Sequence, residues 1–226
     1  IVAITQEESR RFSNRLNIGV LAVFPQLNIS AVLAEFQALH LTEIIRVQFD
    51  WSVSLMDRLQ RKKTDVIISN IDMDALSGKT NENLDIHPFL TDRLYLVISK
   101  NNPLSLKETA TLEDVLSQQL FMPGRSSSAN QFFVKAVTGA GYPIPEAVEC
   151  PSITSAFNFV MAGNGASVLS QHVAQSYMRP GITMIRIEPE IKTYTAIITR
   201  KDMLNRPLVK EFIHFFLEHP TNRSLS

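Results

Sequence analysis

The sequence predicts an α/β protein of two lobes, each built on a helix-covered sheet of largely parallel strands. The order strand, helix, strand, helix, strand runs through residues 16–69. The same alternation restarts near Leu112 and continues through the segment SITSAFNFVMAG. A late strand, YTAIITR, and a closing helix, PLVKEFIHFFLEH, then need a surface on which to pack. If they return to the first lobe, the chain crosses between the lobes near Ser99 and again near Thr193.

The first lobe opens with the apolar strand Leu16–Ala22, followed by a helix. Apolar residues in this helix recur at offsets of three and four, the spacing of one helical face. They are Ile29, Val32, Leu33, Phe36 and Leu39. Asn28 or Ser30 could cap its amino end.

The next strand and helix continue the pattern. Ile45, Val47 and Phe49 alternate with polar residues, which is typical of a strand with one solvated face at a sheet edge. The residues expected to face inward in the following helix are Val53, Leu55, Met56 and Leu59. The basic run 61–63 ends this helix, where it meets the negative end of the helix dipole. A solvated helix end explains that run more simply than a DNA contact does.

The rest of the chain completes the division into lobes. Two apolar strands, LDIHPFL and RLYLVIS, lead into a second lobe that contains the strands EAVEC, ASVLS and ITMIRI. The opening IVAITQEESRRF is apolar and then charged, which predicts the tail of a longer helix that begins upstream. We therefore expect a linker-helix tail at residues 1–13, a first lobe at 14–98 and 194–226, and a second lobe at 99–193.

Composition excludes several function classes. The 226 residues include 22 acidic and 22 basic ones, so the chain has no overall attraction for nucleic acid or anionic lipid. A single cysteine, Cys150, rules out an internal disulfide. No segment resembles a signal peptide or a membrane span, and we expect a cytoplasmic protein without a membrane partner.

Four ordered blocks resemble the effector-binding domain of LysR-type transcriptional regulators. LNIGV is similar to the family's first strand, L-x-I-G, and DWSVSLMDRLQRKKTDVIIS is similar to its helix and "L-D-V-A-I" strand. LTDRLYLVISKNNPL resembles the "L-x-L-V … H-P-L" crossover, and FNFVMAGNGASVLS resembles the "V-x-A-G-x-G-I-A-x-L-P" segment. The resemblance spans nearly the whole chain.

This resemblance implies a periplasmic-binding-protein-like fold of type II: two Rossmann-like lobes, joined by two crossover strands, around a cleft for a small-molecule effector. It also implies an upstream winged helix-turn-helix that this chain lacks, so DNA would be bound only through that missing domain. Effector binding would bias the balance between open and closed lobes. The alternative is a periplasmic solute-binding protein of the same fold, which would carry an export signal instead of an incoming helix.

Site residues are expected in strand-end loops, because ligands of parallel sheets bind beyond the carboxyl ends of the strands. Helix amino ends in these loops offer free N–H groups to anions. The first-lobe candidates are Val23, Phe24, Trp51, Ser52, Ser69 and Asn70. Relatives that bind small carboxylates often have serine where this chain has Val23, which favours a more apolar effector or one anchored from the second lobe.

In the second lobe, the segment MPGRSSSAN is the most suggestive, because it combines a glycine, a cation and hydroxyl groups before a helix. An ordinary capped helix is an equally good interpretation. The second-lobe candidates are Lys100, Met122, Pro123, Gly124, Arg125, Ser126, Ser152 and Thr154. Ser152 and Thr154 could contact the effector or serve only as a helix cap.

Catalysis and cofactor binding find little support. The chain has no G-x-S-x-G elbow, P-loop lysine or C-x-x-C pair. His214 and His219 lie five residues apart, which misses the spacing of a zinc-binding pair on a helix, and no cofactor or metal is expected. His87 is expected to be structural. Cys150 lacks a basic activator nearby in sequence, which favours an unreactive thiol over a redox sensor.

Association is the other expected activity. The unit of helix Ser30–Leu39 and strand Glu43–Asp50 recurs as helix Ser128–Val137 and strand Glu146–Cys150. In the family, these units pair antiparallel between two copies, which implies a homodimer here, or a tetramer in the full-length protein. The alternative is that an extra helix covers the strand edge within one chain.

Overall fold

The structure is a computed structural model that describes residues 14–22, 29–77 and 82–219. Its strands are β1 (Arg15–Leu21), β2 (Ile44–Asp50), β3 (Val66–Ile71), β4 (Leu84–Ser99), β5 (Thr109–Thr111), β6 (Leu120–Pro123), β7 (Ala147–Cys150), β8 (Ala166–Ser170), β9 (Ile182–Glu188) and β10 (Lys192–Arg200). Its helices are α1 (Ile29–Leu39), α2 (Ser52–Gln60), α3 (Met73–Leu76), α4 (Leu112–Leu116), α5 (Ser128–Gly139), α6 (Ile153–Met161), α7 (Gln171–Tyr177) and α8 (Pro207–Glu218).

The chain divides into two compact units. One unit comprises the described residues up to Leu90 and from Tyr194 onward, and the other comprises Thr91–Thr193. The chain therefore leaves the first unit once and returns to it once. The first boundary lies within β4, eight residues before the one expected between residues 98 and 99.

In the first unit, three parallel strands lie in the order β2-β1-β3, and β10 pairs antiparallel with β3. The late YTAIITR segment, which forms part of β10, thus packs on the sheet of the first unit. The core combines residues of the sheet with Phe36 of α1 and Phe212 and Phe216 of α8, all fully buried. Pro207 occupies the first turn of α8, where its missing N–H leaves no bond unmade.

In the second unit, β6 is parallel to β7 and to β8, while β4 pairs antiparallel with β8 and β9. The short β5 is parallel to β9. A separate hydrophobic cluster, with Phe133 of α5 at 1% exposure, fills this unit. The carboxyl ends of β6, β7 and β8 meet at one edge, so the loops that follow them are neighbours.

Several expectations about elements were wrong. LDIHPFL and RLYLVIS form one continuous strand, β4, instead of two. Leu39 is 69% exposed, Phe49 55% and Val53 40%, although their spacing placed them inward. The helices α3 and α7 and the strand β5 were not predicted.

Candidate functional site

The amino end of α2 already carries a carboxylate of the protein itself. Trp51 is the N-cap residue, with an extended backbone and no side-chain cap. The preceding residue, Asp50, accepts the Trp51 N–H at Oδ1 (2.8 Å) and the Ser54 hydroxyl at Oδ2 (2.5 Å). A carboxylate at a helix amino end is favourable. This end of α2 is therefore less available to an anionic ligand than the sequence indicated.

Ser52 is the first residue of α2 and is 8% exposed. Its Oγ is buried and has no hydrogen-bond partner within the described part of the chain. At the end of β3, Ser69 is 1% exposed, and Asn70 Oδ1 accepts the Thr195 hydroxyl at 3.0 Å. Ser52, Ser69 and Asn70 thus belong to the carboxyl-end edge of the first unit's parallel strands.

In the second unit, the loop between β6 and α5 is closed by its own groups. The Pro123 carbonyl accepts Asn130 Nδ2–H at 3.0 Å, and the Gly124 carbonyl accepts the Ser127 N–H at 2.8 Å. Ser127 caps α5 by accepting the Asn130 N–H at 3.3 Å. The structure here matches the capped-helix interpretation of MPGRSSSAN.

Two side chains of that loop, Met122 and Arg125, line a cavity of about 790 Å³ together with residues of α5 and of the segment 144–149. Arg125 is 90% exposed at its side chain, and its Nε donates to Glu149 Oε1 at 2.7 Å. Met122 is buried, with its sulfur accepting the Val168 N–H at 3.3 Å, and Ser126 is half-buried. The cation of the loop therefore serves an exposed ion pair.

Ser152 is the N-cap of α6, where its Oγ accepts the Ser155 N–H at 3.1 Å. Thr154 and Lys100 are exposed. The cap interpretation of Ser152 is thus the one that the contacts support.

A buried carboxylate at the start of α7 was missed by sequence reasoning. Asp92, 5% exposed, accepts the backbone N–H groups of Gln171 at 3.0 Å and His172 at 3.4 Å. His172 Nδ1 lies 3.1 Å from Asp92 Oδ2. Hydrogen bonding to Asp92 raises the pKa of His172, although burial acts in the opposite direction. Residues 92 and 172 are 80 apart in the chain, so no local pattern joins them.

Two more buried hydroxyls lie nearby in the same unit. Ser170 ends β8 at 3% exposure, and Thr193 lies in β10 at 1% exposure. Neither Ser170 Oγ nor Thr193 Oγ1 has a hydrogen-bond partner in the described ranges. Leu94 links the two segments, because it is opposite Ser170 in the sheet and donates its N–H to the Ile191 carbonyl at 3.0 Å. The only sequence signal was a serine at the end of an apolar strand.

Other expectations have simpler outcomes. Val23 and Phe24 lie outside the described residues. His87 pairs with Asp85 at 2.5 Å, as expected of a structural histidine. Cys150 is 3% exposed, and burial raises the pKa of its thiol, which disfavours the reactive thiolate. Among residues 14–22, 29–77 and 82–219, no group of three or more His, Cys, Asp or Glu side chains could hold a metal, and no helix could cross a bilayer.

Two α/β units, with polar residues gathered at strand ends, define a ligand-binding domain of the doubly wound class. The LysR substrate binding domain family matches residues 9–221, and the chain belongs to this family. An uncharacterized HTH-type transcriptional regulator of Methanocaldococcus jannaschii is 28% identical over 149 residues, which are 64% of this chain and 50% of the relative. The chain thus spans about half the length of the curated relative that it matches.

Solved structures support the same fold. The regulatory domain of CcmR from Synechocystis PCC6803, in complex with 2-PG, matches with a TM-score of 0.73, 18% identity and coverage of 90% of this chain and 95% of that one. The effector binding domain of QuiR, in complex with shikimate, matches with a TM-score of 0.70 and 15% identity, over 93% of this chain and 96% of that one. The reduced OxyR regulatory domain of Pseudomonas aeruginosa matches with a TM-score of 0.67 and 18% identity, over 93% of this chain and 97% of that one. The fold is the periplasmic-binding-protein-like fold of type II, and the family favours a regulator over a solute-binding protein.

Proposed function

We propose that this domain senses a small polar effector through buried hydroxyl groups that lack a partner among the described residues; the candidates are Ser52 at the start of α2 in the first unit and, independently, Ser170 and Thr193 in the second. The single observation that supports this proposal is that these three buried hydroxyls have no partner among the described residues. Leaving a buried hydroxyl unpaired costs about 1–3 kcal/mol. A ligand that supplies the missing partner recovers that free energy.

Two carboxylates of the protein further restrict the chemistry of the effector. Asp50 occupies the amino end of α2, and Asp92 occupies that of α7. Both helix ends would otherwise attract anions. We therefore propose that hydrogen bonding to hydroxyls, and not an anion at either of these helix ends, dominates recognition.

The related structures supply the first probes, because QuiR and CcmR were solved with shikimate and 2-PG. Native mass spectrometry of the purified domain would identify any copurifying molecule, and calorimetry would measure the affinity of that molecule, of shikimate and of 2-PG. The neighbours are less than 25% identical to this chain, so none of these compounds is its established effector.

Two serines of α2 provide a matched test. Ser52→Ala removes an unpaired hydroxyl, so we expect unchanged or slightly higher stability but an effector affinity lower by about five- to tenfold, about 1–1.4 kcal/mol. Ser54→Ala removes the hydrogen bond to Asp50, so we expect about 1 kcal/mol lower stability and unchanged affinity. Unchanged effector binding in both Ser52→Ala and Ser170→Ala would place the site elsewhere.

We also propose that the domain forms a homodimer through the units α1–β2 and α5–β7. Of the described strands, β2 pairs only with β1, and β7 only with β6, so each presents a free edge. Exposed apolar side chains accompany both edges, including Leu41 at 86%, Ile44 at 53%, Ile144 at 70% and Val148 at 44%. Exposed apolar groups at a free strand edge favour association.

The whole protein's role completes the proposal. A regulator of this family would act on DNA in the cytoplasm through a separate DNA-binding domain. Catalysis is no part of this proposal, because the family is one of regulatory ligand-binding domains. DNA binding, target genes and the direction of regulation belong to the full-length protein and would be tested there, by electrophoretic mobility shift with and without the effector.

A further inference from the structure

The first unit contains a concave site whose charged lining residues are all basic. This cavity, which we call the basic cavity, has a volume of about 710 Å³. Its lining residues are Arg15, Asn17, Ile18, Arg46, Val47, Gln48, Arg58, Lys62, Lys63 and Thr64. They include five cationic side chains and no carboxylate.

The cations come from three separate elements. Arg15 lies in β1 and Arg46 in β2, where Arg46 is directly opposite Asn17 in the parallel register. Arg58 lies in the last turn of α2, and Lys62 and Lys63 follow its end. The negative end of the α2 dipole can account for the cations at the end of that helix. It does not account for Arg15 and Arg46, which come from the sheet.

The nearby acids are already engaged. Asp65 accepts the Asn17 backbone N–H at 2.7 Å and pairs with Arg206 at 3.0 Å. Asp202 pairs with Arg200 at 3.2 Å and lies 3.5 Å from Lys62 Nζ. The other four cations of the basic cavity form no ion pair with any described residue.

The Nε–H group of Arg58 lacks a hydrogen-bond acceptor in the part of the chain that the structure describes, and its nitrogen is buried. A guanidinium N–H withdrawn from water without an acceptor is unfavourable. An anion in the basic cavity would supply that acceptor, and Arg side chains bind phosphate oxygens with two parallel hydrogen bonds.

The turn after α2 holds its two lysines beside the cavity. Lys62 has φ of 61°, in the left-handed region that non-glycine residues rarely occupy. The Lys63 N–H donates to the Arg58 carbonyl at 2.8 Å, which closes the turn.

We propose that the basic cavity binds a small anion that carries two or more phosphate groups. Five cations that line one cavity match several negative charges, and the volume lies in the range of small-ligand sites. Nucleic acid fits less well, because the chain as a whole carries no net charge and the cations line a concavity instead of a stripe. The lining of the basic cavity does not include Ser52, Ser170 or Thr193, and this proposal does not depend on the function proposed above.

Inorganic pyrophosphate is the test ligand, measured by isothermal titration calorimetry on the whole chain at low and at moderate salt. We expect binding by the wild type, at least a fivefold loss of affinity in Arg46→Gln, and at least a twentyfold loss when Lys63→Gln is added. Arg61→Gln is the matched control, because Arg61 is 66% exposed, pairs with Asp57 and does not line the cavity. It should change affinity by less than a factor of two. Thermal unfolding of each variant verifies that it is folded.

Three results would overturn the proposal. The first is the absence of pyrophosphate binding by the wild type at a protein concentration at which sedimentation shows a monomer. The second is an equal loss in Arg61→Gln, which would indicate long-range charge alone. The third is binding of a short DNA duplex that the same variants abolish while pyrophosphate does not compete. Ser52→Ala should retain pyrophosphate binding, so failure here leaves the effector proposal untouched.

Discussion

At the scale of single residues, the pair Asp92 and His172 links stability to pH. The pKa of His172 is raised above its ordinary value of 6.5, chiefly by hydrogen bonding to Asp92, so the folded state binds a proton more tightly than the unfolded chain does. The resulting stabilisation is complete below about pH 6.5 and is lost as pH rises through the raised pKa. His172→Gln should therefore destabilise the domain most at the acidic end. Urea unfolding of both proteins between about pH 5.5 and pH 8.5 measures the difference.

Asp92→Asn provides the control for this prediction. Removing the carboxylate also weakens the hydrogen bonds from the N–H groups at the start of α7. We therefore expect Asp92→Asn alone to lower the free energy of unfolding by about 1–3 kcal/mol. In that background, His172→Gln should show no pH-dependent effect. A pH-dependent difference that persisted without Asp92 would assign the raised pKa to another cause.

Individual site residues were predicted unevenly. The cap role of Ser152 could be expected, because a serine before an apolar helix has a local signature. The unpaired state of Ser170 and the contact between Asp92 and His172 could not, since both depend on which distant strands become neighbours. The ion pair between Arg125 and Glu149 was not predicted, for the same reason.

At the scale of elements, the segment Ala162–Gly165 shows why one motif needs two glycines. Gly163, with φ of 76°, follows α6, and the N–H groups of Gly163 and Asn164 return to the carbonyls of Val160 and Phe159. This is the arrangement of a Schellman cap. A Cβ on Gly165 would meet the Gln119 carbonyl oxygen at 2.1 Å, so Gly165 allows β8 to approach β6.

Alanine at these positions should therefore have graded effects. Gly165→Ala should cost about 3 kcal/mol or more, because backbone atoms must move. Gly163→Ala should cost about 1 kcal/mol through its left-handed backbone. Gly139→Ala in α5 meets nothing within 4 Å and should leave stability unchanged or slightly raised. Chemical denaturation of the three variants measures the order, which a loss in Gly139→Ala equal to that in Gly165→Ala would contradict.

Most elements could be predicted from the sequence because their local patterns agree with their environment. The helix Leu112–Leu116 has a complete capping box between Thr111 and Asp114, and α8 has proline at its start. The merging of two predicted strands into β4 could not be foreseen, since Pro88 between them breaks the apolar pattern but is exposed in the folded strand. The exposure of Phe49 follows from the position of β2 at an edge.

At the scale of the whole molecule, the dimer proposal predicts that a lysine weakens self-association only when it is placed on one of the proposed surfaces. Phe49→Lys on β2 and Val148→Lys on β7 should each weaken self-association at least tenfold, about 1.4 kcal/mol, because a cation would replace an apolar contact. Leu106→Lys is the control, since Leu106 is 90% exposed but belongs neither to α1–β2 nor to α5–β7. Sedimentation at several concentrations measures the effect. Equal weakening in all three variants, or none, would contradict the proposed surfaces.

The interrupted first unit has a consequence for synthesis on the ribosome. Its hydrophobic interior requires Ile197 and Ile198 of β10 and Phe212 of α8, which are translated after every residue of Thr91–Thr193. Domains generally fold as units while the chain emerges. The inserted half can therefore finish first, whereas the half that begins the chain must wait, incompletely covered, for its last strand and helix. Nascent chains released before residue 194 should consequently bind chaperones through the earlier segment.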